Sequence, residues 1–109
     1  MDMQMSRGPE TNVATAERLR RMAHPLRFAM LQLLRQRSEL CVCAMAAALG
    51  AGQATLSRHL RILRDGGLVQ ARRDGPNVFY SLDAETIAGV ASAVEGLSRA
   101  GVRRRESPR

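Results

Sequence analysis

The sequence has no lysine and no tryptophan, and aromatic residues make up only 3% of its 109 positions. Its basic side chains are therefore arginines, and they leave a formal net charge of +7. Arginine forms bidentate hydrogen bonds with phosphates and guanine edges, which lysine does not. The positive balance favours a polyanionic partner, although a solvated basic surface would have the same composition.

Long apolar runs are missing as well. No run approaches the length of about 20 residues that a membrane helix needs, and the polar segment 1–10 lacks the apolar stretch of a signal peptide. The two cysteines, Cys41 and Cys43, do not resemble the disulfide framework of a secreted protein. We therefore expect a cytoplasmic protein with no membrane association.

The length of the chain predicts one compact domain. We expect a disordered tail over residues 1–10, the domain over residues 11–101 and a basic tail over residues 102–109. Because aromatic residues are few, leucine, alanine, valine and methionine must fill the core, and that composition favours helices.

Apolar residues at helical spacing predict five helices. Asn12 or Thr15 is expected to cap the first helix, which runs to Ala23. Pro25 is expected to begin the second, because the first helical position needs no N–H donor. Residues 38–41 are expected to form a connection or the start of a helix. The second helix is expected to run from about residue 26 to residue 37, the third over 42–49 and the fourth over 53–65. The fifth is expected to run from residue 84 to about residue 100, capped by Asp83.

Two strand-like runs, 68–72 and 78–82, flank a turn-forming segment and predict a β-hairpin with a basic tip. Two short helices around a glycine-containing turn, followed by such a hairpin, have the order of a winged helix-turn-helix. The predicted fold is mainly α, with a small β-hairpin wing. An enzyme is not expected, because the sequence shows no phosphate-binding glycine loop and no base paired with a nucleophile.

In this fold the second helix of the pair enters the major groove of DNA, where its outward polar side chains meet base edges. Arg58 would read guanine and Gln53 adenine, while the hairpin would reach the flanking backbone or the minor groove. His59 would support DNA binding or packing. A DNA-binding protein that senses nothing is the alternative. The candidate DNA-binding residues are Gln53, Thr55, Ser57, Arg58, His59, Arg61, Arg72, Arg73 and Asn77.

Several segments together resemble the arsenic-repressor (ArsR/SmtB) family, over roughly residues 15–100. The resemblance implies a homodimeric repressor that binds a palindromic operator in double-stranded DNA and leaves it when an inducer binds. It also implies a helical dimer interface, formed by residues 15–23 and 84–100. The matching segments are His24-Pro-Leu-Arg27, Cys41-Val-Cys-Ala-Met45, Gln53-Ala-Thr-Leu-Ser-Arg-His-Leu60, Leu63-Arg-Asp-Gly-Gly-Leu68 and Val78-Phe-Tyr-Ser-Leu82.

The same resemblance makes Cys41 and Cys43 the ligands of a soft inducer, trivalent arsenic or antimony. Arsenic-sensing members often have a third cysteine where this sequence has Ala46, and an acidic residue where it has Ala44. Two thiols therefore suit an organoarsenical at least as well as arsenite. No obligatory cofactor is expected.

Helical geometry limits how cysteines at positions i and i+2 bind one ion. They lie about 200° apart on an ideal helix, so we expect the first turn of the third helix to unwind or to start later when an inducer binds. The alternatives are a thiol pair that senses oxidants or reactive sulfur, and a pair of small buried hydrophobes.

A second metal site of the family, between the last helices of two subunits, is expected to be absent. Residues 83–100 contain no histidine, which that site requires. His24 is expected to pack near the helix junction or to cap a helix.

Overall fold

The computed structural model describes the backbone of residues 9–106 and the side chains of residues 11–98. That part of the chain forms five helices and a small sheet. The helices are α1 (Pro9–Met22), α2 (Pro25–Arg37), α3 (Val42–Leu49), α4 (Gln53–Asp65) and α5 (Ala84–Glu106). The strands are β1 (Leu40–Cys41), β2 (Val69–Asp74) and β3 (Asn77–Leu82), and they form an antiparallel sheet in the order β1-β3-β2. The predicted fold, mainly α with a β-hairpin wing, is confirmed.

Local capping explains where the central helices begin and end. His24 has an extended backbone, and its Nδ1 accepts a hydrogen bond of 3.1 Å from the N–H of Leu26. The expected capping role of His24 is therefore confirmed. Gly50 ends α3 with a φ of +65°, a left-handed conformation that glycine adopts without strain. Asp83 accepts the N–H of Thr86 at 3.0 Å and caps α5, as predicted.

The first and last helices are longer than expected. Helix α1 begins at Pro9, so Asn12 and Thr15 lie inside it, and the predicted cap at either residue is wrong. Proline suits the first helical position because no N–H donor is needed there. Helix α5 continues to Glu106, past the predicted end near residue 100, since no proline interrupts it. The remaining parts of the predicted tails, residues 1–8 and 107–109, lie outside the described residues.

The core lies between α2, α3, α4 and the start of the hairpin. Its side chains are leucine and methionine at helical spacing, and burial of each such side chain stabilises the fold by about 1.5–3 kcal/mol. One face of α4 is thereby held inward, and its polar face is left to solvent. The side chains less than 2% exposed are Met30, Leu34, Met45, Leu56, Leu60, Leu63 and Leu68.

Strand β1 was not predicted. Leu40 pairs with Tyr80 and Cys41 pairs with Phe79, so the segment before α3 forms the third strand of the wing sheet. A strand of two residues has no alternating pattern that sequence analysis can detect, and its conformation depends on β3. The described helices include none that is both long and apolar enough to cross a membrane.

Candidate nucleic-acid interface and thiol pair

Helix α4 presents a polar, positively charged face. Leu56, Leu60 and Leu63 point into the core, and the opposite side of the helix is exposed. Among the residues described, Arg58 and Arg61 have no acidic partner, so both guanidinium groups are available to an anion. Thr55 is half-buried, while the exposed candidates on α4 are Gln53, Ser57, Arg58 and Arg61.

The wing ends in a tight turn at Gly75 and Pro76, where Gly75 has a φ of +63°. Asn77 and Arg73 lie next to this turn and are exposed. Both residues are therefore placed near the tip of the hairpin, and their role in binding DNA stays a prediction. The structure brings no partner to either side chain within the described contacts.

Arg72 is positioned differently from Arg73. Its Nε and one terminal nitrogen donate to the two carboxylate oxygens of Glu39, each at 2.9 Å. Its guanidinium also lies 5.1 Å from the ring centroid of Phe79. The hydrogen bond from Arg72 lowers the pKa of Glu39, so the pair is ionised at neutral pH. Arg72 therefore ties the wing to the segment before β1, a contact that sequence analysis missed.

His59 is half-buried and faces α2 as well as solvent. Its Nδ1 lies 3.0 Å from a terminal nitrogen of Arg27, and its ring centroid lies 4.6 Å from that of His24. Burial lowers the pKa of His59, and the charges of His24, Arg27 and Arg58 lower it further. A neutral His59 therefore accepts a hydrogen bond from Arg27, which supports the packing role that the sequence left open.

The two cysteines meet at the junction of β1 and α3. Cys41 is the N-cap of α3, with an extended backbone at φ −83° and ψ 166°, and its sulfur accepts from the N–H of Ala44 at 3.4 Å. The Sγ atoms of Cys41 and Cys43 are 2.7 Å apart, and both cysteines are free thiols. Cys41 is half-buried, whereas Cys43 is exposed. A ligand in solvent therefore reaches the pair from the side of Cys43.

This geometry corrects the prediction drawn from an ideal helix. Helix α3 starts at Val42, so Cys41 lies outside it and its side chain turns back toward Cys43. The two sulfurs converge without any unwinding of α3. A third ligand is not built in, since the described residues contain no group of three His, Cys, Asp or Glu side chains placed to hold a metal ion.

The two thiols are not chemically equivalent. The hydrogen bond from Cys43 lowers the pKa of Cys41, and the N–H of Ala44 lowers it further. The pKa of Cys43 is raised, chiefly because its proton is shared with the sulfur of Cys41. A thiolate at a helix N-terminus is also stabilised by the helix dipole. Cys41 is therefore the nucleophilic member of the pair, and Cys43 is the hydrogen-bond donor.

A family model described as bacterial regulatory protein, arsR family, matches residues 24–71. The chain is 46% identical over 67 residues to a transcriptional repressor SmtB homolog of Synechocystis sp., across 62% of this chain and 50% of that protein. It is 36% identical over 74 residues to the arsenical resistance operon repressor of Escherichia coli, across 68% of this chain and 63% of that protein. The match thus spans between half and two thirds of these relatives.

A solved structure with the same architecture is a homodimeric winged helix-turn-helix DNA-binding domain from Mycobacterium bovis. It resembles this chain with a TM-score of 0.70 and 29% sequence identity, over 94% of each chain. The likeness therefore covers nearly all of the chain.

We predict that the low pKa of Cys41 depends on the hydrogen bond from residue 43. In Cys43→Ala the donor is lost and the pKa of Cys41 rises toward the ordinary thiol value of about 8.5. In the matched variant Cys43→Ser a hydroxyl replaces the thiol donor, and the pKa stays lower. The measurement is the rate of iodoacetamide alkylation of Cys41 against pH, read by mass spectrometry. Equal pKa values in the two variants would contradict this account of the thiol pair.

Proposed function

Because the chain belongs to the arsR family of bacterial regulatory proteins, we propose that it is a transcriptional repressor controlled by a thiol-binding inducer. It binds a palindromic operator as a homodimer and leaves the DNA when the inducer occupies Cys41 and Cys43. The observation that carries this proposal is the contact between two free thiols at the start of α3. Members of the family regulate transcription, and we propose no catalytic activity.

The exposed face of α4 supports DNA binding. Arg58, Arg61 and Ser57 project from a helix whose other face is fixed in the core, so their positions are set before DNA arrives. A helix of this width fits the major groove, where arginine pairs with guanine and with phosphates. The wing tip, with Arg73 and Asn77, supplies a second contact to the backbone or the minor groove.

Exposed apolar side chains support the homodimer. Val13 on α1 is 69% exposed, and Leu97 on α5 is 74% exposed. Leu19 and Val94 on the same helices are also exposed. A domain of this size gains stability by covering such side chains with a second copy. A two-fold dimer would place its two α4 helices on half-sites about one turn of DNA apart.

The thiol pair supports a soft, trivalent inducer. Thiolates select soft ions, and the two sulfurs already face one another at the surface. For an organoarsenical, both thiols lose their protons, two arsenic–sulfur bonds replace two arsenic–oxygen bonds, and two water molecules leave. The carbon substituent occupies the third position, for which the described residues provide no ligand. The proposed inducer is trivalent arsenic or antimony, and an organoarsenical suits the two thiols at least as well as inorganic arsenite.

The contacts around β1 supply a route from the thiols to the wing. An atom placed between the two sulfurs must push them apart, and Cys41 is the residue that pairs with Phe79 of β3. Glu39, two residues before Cys41, holds Arg72 of β2. A shift of Cys41 therefore pulls on both strands of the wing. This route complements the packing of α3 against α4, through which the same shift reaches the recognition helix.

A second candidate function is a repressor that senses oxidants or reactive sulfur with the same cysteines. The contact between a nucleophilic Cys41 and the neighbouring thiol favours it. Peroxide would oxidise Cys41 to a sulfenic acid, and attack by Cys43 would then form a disulfide with release of water. The two functions share DNA binding and differ in the inducer, which is a soft trivalent ligand in the first and an oxidant or reactive sulfur in the second.

We predict that a trivalent methylarsenical releases the protein from DNA upstream of its own gene, and that this release needs both cysteines. The measurement is an electrophoretic mobility shift at fixed ionic strength, with protein that has been reduced and freed of reductant, titrated in parallel with arsenite and with hydrogen peroxide. Cys41→Ser and Cys43→Ser should bind the DNA as the unchanged protein does and should not respond to the arsenical. Release of the Cys41→Ser/Cys43→Ser double variant by the arsenical would contradict the proposed site. Release by peroxide alone, reversed by dithiothreitol, would establish the redox function instead.

We further predict that Glu39→Gln uncouples inducer binding from DNA release, because it removes the charge that holds Arg72. The readout is the ratio of operator affinity without inducer to that with saturating methylarsenical. This ratio should fall at least fivefold toward one, while mass spectrometry shows the same arsenic content. Glu85→Gln, an equal change at an exposed position on α5, is the control and should leave the ratio unchanged. Matching ratios in the two variants would exclude the route through the wing.

A further inference from the structure

The C-terminal end of α4 is held by side chains from α1. The last carbonyl groups of an α-helix have no partners within the helix and must find them elsewhere. A terminal nitrogen of Arg21 donates to the carbonyl of Ile62 at 2.9 Å, and Nε of Arg18 donates to the carbonyl of Gly66 at 3.3 Å. Cations at this end also complement the helix dipole. Two arginines of α1 therefore cap the proposed recognition helix.

The site around Arg21 is built to fit that side chain. Only 26% of the Arg21 side chain is exposed, and its Nε lies 3.2 Å from a carboxylate oxygen of Glu17, one turn earlier in α1. Residue 66 is a glycine, and a Cβ at that position would overlap the Cδ of Arg21. Gly66 therefore leaves the space through which Arg21 reaches the carbonyl of Ile62.

A second connection runs from the same place to the middle of α4. The carbonyl of Arg21 accepts from Nε of Arg27 at 2.6 Å, and a terminal nitrogen of Arg27 bonds to His59 at 3.0 Å. Helix α4 is thus attached at the side chain of His59 and again at the carbonyl of Ile62, and neither attachment uses Arg58 or Arg61. Attachment at two points one turn apart fixes the rotation of α4 about its axis as well as its distance from α1.

From this network we infer that Arg21, assisted by Arg18, is a positioning residue for sequence recognition, acting through α4. The inference rests on the proposed function. Helix α1 carries the exposed apolar residues Val13 and Leu19 that we assign to the dimer interface. A rigid link from α1 to α4 sets the orientation and spacing of the two recognition helices on the operator. Arg21 itself contacts neither base nor phosphate in this scheme.

The test compares Arg21→Ala with Arg20→Ala. Arg20 is the neighbouring residue, its side chain is 71% exposed and it forms an ion pair with Glu17, so Arg20→Ala removes the same charge without touching α4. Affinity is measured for the operator and for unrelated DNA at one salt concentration. Arg21→Ala should lower the ratio of operator affinity to unrelated-DNA affinity at least tenfold. Arg20→Ala should leave that ratio unchanged, because it alters only the general attraction to DNA.

If circular dichroism shows that Arg21→Ala does not fold, two further variants test the same inference. Gly66→Ala should lower the same ratio, because its Cβ displaces the Arg21 side chain. Arg18→Ala should lower it to a smaller extent, because the second cap remains. Amide hydrogen exchange supplies a readout without DNA, in which residues 65–67 exchange faster in Arg21→Ala than in Arg20→Ala.

An unchanged affinity ratio in Arg21→Ala, or equal exchange rates in the two variants, would overturn the positioning role while leaving the proposed function intact. A wild-type protein that binds operator and unrelated DNA equally would instead refute the proposed function, and the positioning role in recognition would fail with it.

Discussion

Cys41 is the last residue of β1 and also the N-cap of α3. Both the thiol pair and its proposed connection to the wing depend on this position between a strand and a helix. Its extended backbone pairs with Phe79 on one side. Its sulfur accepts from the N–H of Ala44 on the other, which directs the thiol toward Cys43. A helix that started one residue earlier would separate the two sulfurs around its axis. The strand therefore creates the thiol pair and at the same time connects it to the wing.

The arginines divide into two groups with different physical roles. Arg58 and Arg61 on α4, and Arg73 on the wing, are exposed to solvent, and none of them has an acidic partner among the side chains that the structure describes. Arg21 and Arg27 instead donate to carbonyl groups within the protein, at distances of 2.9 and 2.6 Å. Guanidinium groups suit both tasks because they are always charged and present several donors in a fixed plane. Because the chain has arginine and no lysine, the same residue type supplies both the exposed positive charges and the hydrogen bonds to backbone carbonyl groups.

Sequence patterns were sufficient for the elements whose cause is local. Helices α2, α3 and α4 follow from the spacing of apolar residues, with His24, Pro25 and Gly50 at their ends. The hairpin follows from the turn residues between two strand-like runs. Strand β1 was beyond reach, because its conformation depends on β3, about 40 residues away. The attachment of Arg72 to Glu39 and of Arg21 to Ile62 likewise links distant segments, so no local pattern reports it.

The central claim is that occupation of the thiol pair and binding of operator DNA oppose each other. Thermodynamic linkage requires that such opposition be reciprocal. The most direct measurement is therefore the affinity of a trivalent methylarsenical for the free protein and for the protein saturated with operator, by calorimetric titration at one pH and salt concentration. The account predicts that the operator weakens arsenical binding by about 5- to 150-fold, the usual range of allosteric coupling. Equal affinities in the two titrations would contradict it, since the thiols would then bind their ligand without influence on DNA.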